Sequence, residues 1–296
     1  MLPVIGLYKM QTREKGYDLV VKVNNFNLSY NDVGEGDVPI IFLHGFPFDK
    51  TMWQIQIDFL RASHRLIACD IRGFGKSSDE RSALSMDLFG EDLIAFMDHL
   101  SIDKAIICGL SMGGFIALNA QKRYPDRFTA MILCDTQCIA DTEELKKRRH
   151  EIIEEIALFG PAAFNEGFIQ KVFHKDSFIT RKTIVAKLRG VVFANSDHII
   201  SQGLLALAGR SETCSSLHDI QVPTLIICGR QDQVTRLSES EFMHENIKGS
   251  LLHIIEDAGH VSNLEEPWEF NKSLLEFLGT LKQEQRRHFS AFQWSF

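Results

Sequence analysis

Residues 104–124 read Lys104-Ala-Ile-Ile-Cys108-Gly109-Leu-Ser111-Met-Gly113-Gly-Phe-Ile-Ala-Leu-Asn-Ala-Gln-Lys-Arg-Tyr124. After Lys104, Ala105–Cys108 is a continuous apolar run of strand length, and the stretch from Met112 carries apolar residues at helical spacing. Between them, Gly109-Leu-Ser111-Met-Gly113 forms a Gly-x-Ser-x-Gly pattern. Alone it is weak, since a chain of this composition carries one by chance about once in ten. Its setting gives it weight: a serine on a sharp strand-to-helix turn is thrust out of the backbone, and glycines two residues to either side leave room for the bend.

The same strand-then-helix rhythm extends outward from this stretch. Val38–Leu43, Arg65–Cys69, Lys104–Cys108 and Thr129–Cys134 are continuous rather than alternating, as in strands buried on both faces of a parallel sheet. Helical patterns over Thr51–Ala62, Ser85–Leu100 and Met112–Tyr124 lie between them, which predicts right-handed βαβ units. Before them, Asp18–Val23 and Phe26–Asn31 flank Asn24-Asn25 and read as an antiparallel hairpin. The alternation stops from about Thr136 to Leu217, where only helical stretches occur. It resumes with Val222–Cys228, a helix over Leu237–Asn246, Ser250–Ile255 and a final helix from Pro267 to Leu281. The expected fold is an α/β doubly wound, mostly parallel eight-stranded sheet with helices on both faces and one helical insertion.

A serine hydroxyl is a poor nucleophile unless a base takes its proton and a carboxylate fixes the tautomer of that base. Among the 11 histidines, His260 fits, because it follows a late strand in the loop Glu256-Asp-Ala-Gly-His260 and so stands at the carboxyl edge of the sheet. His44 reads as a loop brace and His253 as a packing residue inside a strand. Two residues are candidates for the acid. Asp232, in Gly229-Arg-Gln-Asp232, is preferred; Asp135, after the preceding strand, is the alternative. A developing oxyanion needs two N–H donors, expected from Met112 after the nucleophile and from Phe46 in His44-Gly45-Phe46-Pro47.

Taken together, His44-Gly45-Phe46-Pro47, Asp70-Ile-Arg72-Gly73-Phe-Gly75-Lys-Ser77, Gly109-Leu-Ser111-Met-Gly113-Gly114, Gly229-Arg-Gln-Asp232 and Gly259-His260 resemble the α/β-hydrolase superfamily. More narrowly, they are similar to its small capped esterase and lactonase members, including the 3-oxoadipate enol-lactonase-like group. The resemblance runs from about Tyr17 to Leu281. It implies the chain order nucleophile, acid, base, which Ser111, Asp232 and His260 keep. It also implies that Asp70 and Arg72 brace a turn without touching substrate. Residues 16–135 and 218–285 would be the core, 136–217 the helical cap and 286–296 a tail. A serine at the nucleophile position argues against the sister dehalogenases and epoxide hydrolases, which carry Asp there.

The remaining composition narrows the function. The 296 residues carry 32 Lys+Arg against 39 Asp+Glu, a net charge of −7, which leaves no basic footprint for nucleic acid. Met1–Thr12 does not read as a secretory signal, and no apolar run is long enough to span a bilayer, so a soluble, cytoplasmic protein without a membrane partner is expected. All six cysteines are expected to be reduced: Cys69, Cys108, Cys134 and Cys228 each end an apolar run, and a chain of this length buries a core without staples. Phe is abundant, 22 against 4 Tyr and 3 Trp. Phe159, Phe164, Phe168, Phe173, Phe178 and Phe193 fall in the insertion, and Phe159, Phe164 and Phe168 are expected to line the site beside Phe46. Trp53 reads as packed. Lys146-Lys-Arg-Arg149 reads as a solvated face, or as a pocket edge attracting a carboxylate-bearing substrate.

The expectation is a serine hydrolase of small carboxylic esters or lactones, monomeric or homodimeric. It needs no cofactor or metal, because acyl transfer by Ser111, His260 and Asp232 requires neither. Perhydrolysis, carbon–carbon bond hydrolysis, and a ligand receptor with little turnover remain the alternatives.

Overall fold

The computed structural model of the chain describes residues 15–79 and 83–293, with side chains through 283. The expected leader-free stretch Met1–Thr12 and the last residues of the tail, 294–296, lie outside the described residues.

Eight strands form one sheet: β1 (Gly16–Val23), β2 (Phe26–Val33), β3 (Ile40–Leu43), β4 (Leu66–Cys69), β5 (Ala105–Leu110), β6 (Phe128–Cys134), β7 (Thr224–Gly229) and β8 (Leu251–Ile255). Their spatial order is β1-β2-β4-β3-β5-β6-β7-β8. β2 pairs antiparallel with both its neighbours, and every other pair is parallel. The β1–β2 hairpin turns at Asn24 and Asn25, both at positive φ, as a tight two-residue hairpin requires.

Successive residues of the continuous strands enter opposite faces. Ile41, Leu43, Ile107, Met131, Leu133 and Ile226 meet α2 (Met86–His99), α3 (Met112–Arg123) and α9 (Leu237–Asn246) on one face. Ile40, Phe42, Ile106, Cys108, Ile132 and Ile227 meet α1 (Gln54–Leu60) and α11 (Pro267–Gln293) on the other. Trp53 is fully buried there against Phe42 and Phe270. Each apolar run therefore serves two cores at once.

Between β6 and β7 the chain forms α4 (Glu143–Phe159), α5 (Ala162–Val172), α6 (Ser177–Thr180), α7 (Lys182–Phe193) and α8 (Asp197–Ala208). The hydroxyls of Thr142 and Ser196 accept from Leu145 N and Ile199 N and so start α4 and α8. A four-residue helix, α10 (Ser262–Glu265), precedes α11.

Two expectations are corrected. Cys138 and Cys214 form a disulfide, whereas the other four cysteines are free and buried. The pair lies where the chain enters and leaves the helical insertion, and Thr213 N donates to Cys138 O at 2.8 Å, so the two connections already run side by side. A sequence separation of 76 hides that proximity. Second, α11 does not stop near Leu281 but continues to Gln293, because Lys282-Gln-Glu-Gln-Arg-Arg287 is made of good helix formers. No helix among the described residues is long and apolar enough to cross a membrane.

Candidate active site

β3 and β5 lie side by side, with Leu43 opposite Gly109, so the loops that follow them leave the sheet at one edge. Ser111 joins β5 to α3 at φ 54° and ψ −114°, a conformation that costs a non-glycine residue energy and is sustained only by its surroundings. The surroundings leave no slack: a Cβ on Gly109 would stand 2.2 Å from Gly113 O, and one on Gly113 would stand 2.2 Å from Leu43 O. Ser111 N donates to Cys134 O at 2.9 Å, and Thr136 Oγ1 donates to Ser111 O at 2.8 Å.

The turn brings Ser111 to His260. Ser111 Oγ and His260 Nε2 are 2.8 Å apart, and His260 Nδ1 is 2.7 Å from Asp232 Oδ2. All three side chains are buried. Asp232 is itself held at both oxygens. Val234 N and Thr235 N donate to Oδ1 at 2.7 and 3.1 Å, and Thr235 Oγ1 donates to Oδ2 at 2.7 Å. Burial disfavours the imidazolium of His260, but the neighbouring Asp232 carboxylate outweighs it and holds the pKa above the ordinary value. Burial also opposes the charge on Asp232, yet the His260 interaction and the Thr235 and Val234 donors keep its carboxyl below the usual range.

Asp135 does not reach the imidazole. It accepts from Gly229 N at 2.8 Å and from Ser262 Oγ at 2.6 Å, bridging the ends of β7 and the start of α10. Burial, with the Asp232 charge nearby, pushes its carboxyl up to about 8. His44 braces its loop: Nδ1 lies 2.9 Å from Gly45 O, and Nε2 accepts from Ile71 N at 2.9 Å. Asp70 receives the Lys50 ammonium at 2.7 Å, and Arg72 grips Asp92 through two bonds of 2.7 Å, both pairs buried. Neither Asp70 nor Arg72 lines the cavity over Ser111.

The N–H of Met112 opens α3 and is one of the donors a helix start leaves without an intrahelical acceptor. No described residue accepts from the N–H of Phe46. Gly45 packs so closely that a Cβ there would stand 3.2 Å from Ser111 Cβ.

Over Ser111 and His260 opens a cavity of about 470 Å³ between the sheet edge and the helical insertion. Its apolar wall is Phe46, Phe115, Phe164, Phe168, Leu204 and Leu207. Phe46 packs against Phe164 and Phe168 with ring centroids 6.3 and 6.1 Å apart. Phe159 is not part of this wall; it stands 82% exposed at the end of α4. It shares the helical phase of the lining residues Ile152 and Glu155, but at 1.5 Å per residue it lies about 6 Å beyond Glu155, past the cavity's end. Phe173 and Phe178 pack on each other, and Phe193 lies under Arg189.

The same cavity is also lined by cations, one of which, Arg210, lies over the Phe115 ring. These cations are Arg148, Arg149, Lys171 and Arg210, with Asp141 and Glu155 as the counter-charges. Asp141 is shared between Arg149 and Arg210, the latter at 2.7 Å. Lys171 has no ion-pair partner among the described residues. Thus only the second half of the basic run, Arg148 and Arg149, reaches the cavity. Sequence reasoning missed Thr235, Arg210 and Lys171. Thr235 had a local signal, an aspartate three residues upstream of a threonine, whereas Arg210 and Lys171 are placed by tertiary packing alone. No cluster able to hold a metal ion occurs among the described residues.

A strained serine on a strand-to-helix turn, hydrogen-bonded to a histidine and through it to an aspartate at one edge of a parallel sheet, defines a recognisable class. Residues 38–267 match the α/β hydrolase fold family, and the chain belongs to it. The chain is similar to 3-oxoadipate enol-lactonase 2 of Acinetobacter baylyi, 32% identical over 263 residues, 83% of this chain and 91% of that enzyme. Among solved structures, a thermophilic esterase from Thermogutta terrifontis with malate bound superposes with a TM-score of 0.85 at 30% identity, covering 89% of this chain and 99% of that one. The enol-lactonase from Burkholderia xenovorans LB400 gives 0.82 at 25% identity, covering 88% and 100%.

Proposed function

We propose that this α/β hydrolase cleaves small carboxylic esters or lactones through an acyl-enzyme on Ser111. The observation that carries the reading is the relay of two short hydrogen bonds, Ser111 Oγ to His260 Nε2 at 2.8 Å and His260 Nδ1 to Asp232 at 2.7 Å, on the floor of an apolar cavity. His260 takes the serine proton as Ser111 attacks the carbonyl carbon. Asp232 fixes the tautomer that leaves Nε2 free to accept and steadies the imidazolium that results. The N–H groups of Phe46 and Met112 receive the oxyanion, each worth about 2.7–4 kcal/mol by comparison with such donors elsewhere. The tetrahedral intermediate collapses, His260 returns the proton to the leaving alkoxide, and water repeats the sequence to free Ser111. Every step uses this chain's own groups and water.

The helical insertion acts as a cap over this site, its Phe164 and Phe168 taking up the apolar part of the substrate. Arg148, Arg149, Arg210 and Lys171 outnumber Asp141 and Glu155, which favours substrates carrying a carboxylate. The names of the relatives, two enol-lactonases and an esterase that holds malate, agree with that preference. Ser111→Ala is expected to abolish ester turnover while circular dichroism and melting stay unchanged, and a fluorophosphonate probe is expected to label Ser111. An unlabelled, folded protein defeats the reading. For the preference, kcat/KM for acidic over neutral esters is expected to fall with added salt; a salt-independent ratio removes it. Disulfides persist in oxidising compartments, so the state of Cys138 and Cys214 in intact cells tests the cytoplasmic expectation.

A further inference from the structure

Glu265 is a fully buried carboxylate outside the relay just described. It ends α10, five residues beyond His260, and faces two segments at once. Toward the cap, its Oε1 accepts from His174 N at 2.7 Å and from Ser177 Oγ at 2.6 Å. Toward the loop that carries His260, its Oε2 accepts from Gly259 N at 2.7 Å. The two segments also touch directly. His260 N donates to Val172 O at 2.8 Å, and a Cβ on Gly259 would stand 2.8 Å from His174 N. Residues 172–177, the corner between α5 and α6, are therefore docked against the backbone of the His260 loop.

Burying a carboxylate is costly unless donors meet it. Burial raises the pKa of Glu265, and the donors from Ser177, His174 and Gly259 offset only part of that. An apolar residue of the same volume would leave the N–H groups of Gly259 and His174 and the Ser177 hydroxyl without this acceptor. A carboxylate is distinguished by having two oxygens that both accept, one for each side of the junction.

We propose that Glu265 is a positioning residue for His260: it bolts the α5–α6 corner of the cap to Gly259, fixing the backbone from which the imidazole reaches Ser111. Asp232 sets the ring's tautomer through Nδ1, and Glu265 sets where the ring stands. The inference rests on His260 being the base, as argued above. Glu266 offers the internal control. It pairs at 2.5 Å with Arg181, between α6 and α7, whose Nε also donates to Glu265 O at 2.7 Å, and it makes no hydrogen bond to the His260 loop.

Glu265→Gln keeps the volume but supplies one acceptor and one NH2 donor, so either Gly259 N–H or His174 N–H faces a donor. The test titrates competent Ser111 with a fluorophosphonate, then compares turnover per titrated site. Glu265→Gln is expected to lower kcat per site about tenfold or more with KM within about twofold, and to slow serine labelling in proportion. Glu266→Gln is expected to leave both unchanged. A role confined to stability lowers Tm and the titratable fraction but not the rate per site, and a rate per site unchanged in Glu265→Gln overturns the proposal. So does an equal loss in Glu266→Gln, which assigns the effect to the tether of the cap as a whole. If Glu265→Gln does not fold, Ser177→Ala decides: it removes one of the three donors and is expected to lower kcat per site about threefold, and no change overturns the proposal. A wild-type protein that the probe leaves unlabelled overturns the serine reading itself, and this proposal with it.

Discussion

Two aspartates stand at the ends of adjacent parallel strands, Asp135 after β6 and Asp232 after β7, both buried. Asp232 meets the His260 ring and three donors from Val234 and Thr235, and it stays ionised below the usual carboxyl range. Asp135 meets Gly229 and Ser262 but no cation, and with Asp232 nearby its carboxyl rises to about 8. Same residue type, same edge of the sheet and same burial yield opposite pKa shifts. The direct partner decides the direction: the hydrogen bond to the His260 ring keeps Asp232 below the usual range, whereas Asp135, buried without such a bond and beside the Asp232 charge, is raised.

The largest effect expected from this contrast is on rate. Asp232→Asn is expected to lower kcat about 10⁴-fold, as loss of the orienting carboxylate does in comparable triads, whereas Asp135→Asn is expected to stay within about tenfold of wild type. Equal losses in steady-state assays would erase the distinction, and a reversed order would exchange the two roles.

The pH profile sharpens it. His260 accepts a proton only when neutral, and Asp232 holds its pKa above 6.5. In wild type, kcat/KM is therefore expected to fall on acidification with a midpoint above that value. In Asp232→Asn the counter-charge is gone while burial remains, so the midpoint of the residual activity is expected to move to lower pH. An unmoved midpoint would show that another group sets the limb.

A smaller effect is expected at Thr235, whose hydroxyl donates to Asp232 Oδ2 at 2.7 Å. Thr235→Ala removes one hydrogen bond to a charged group, worth about 1.5–3 kcal/mol where fully lost, and is expected to cost about tenfold in kcat with KM little changed. Rescue by Thr235→Ser would confirm the hydroxyl as the cause.

A further effect is on stability rather than rate. Asp135 titrates near 8 in the folded chain against 3.8 in its ordinary setting. Between those values the native state holds a proton that the unfolded chain has released, so Asp135 makes stability fall as pH rises through this window. Asp135→Asn is expected to flatten the decline of Tm between pH 5 and pH 8. A decline of unchanged slope would place the responsible group elsewhere.

Much of this was legible in the chain. The continuous runs now in β3 to β6 announced strands buried on both faces, and the glycines around Ser111 announced the turn, because both are written in local spacing. His260 and Asp232 could be chosen because strand ends place them at one edge. Other features were not legible. Phe159 has the phase of a lining residue but not the reach, since periodicity says which way a side chain points and not where the helix ends relative to a cavity. Cys138 and Cys214 read as unrelated thiols because 76 residues separate them. Lys171 and Arg210 carried no motif at all.

By itself, the sequence determined the sheet and the turn that carries Ser111, because apolar period and turn chemistry are short-range properties. Only the tertiary structure decided which aspartate meets His260, which cations and phenylalanines face the cavity, and how Glu265 joins the helical insertion to the His260 loop. Those outcomes depend on distances between residues far apart in the chain, and it is these distances that set burial, hydrogen bonding and charge.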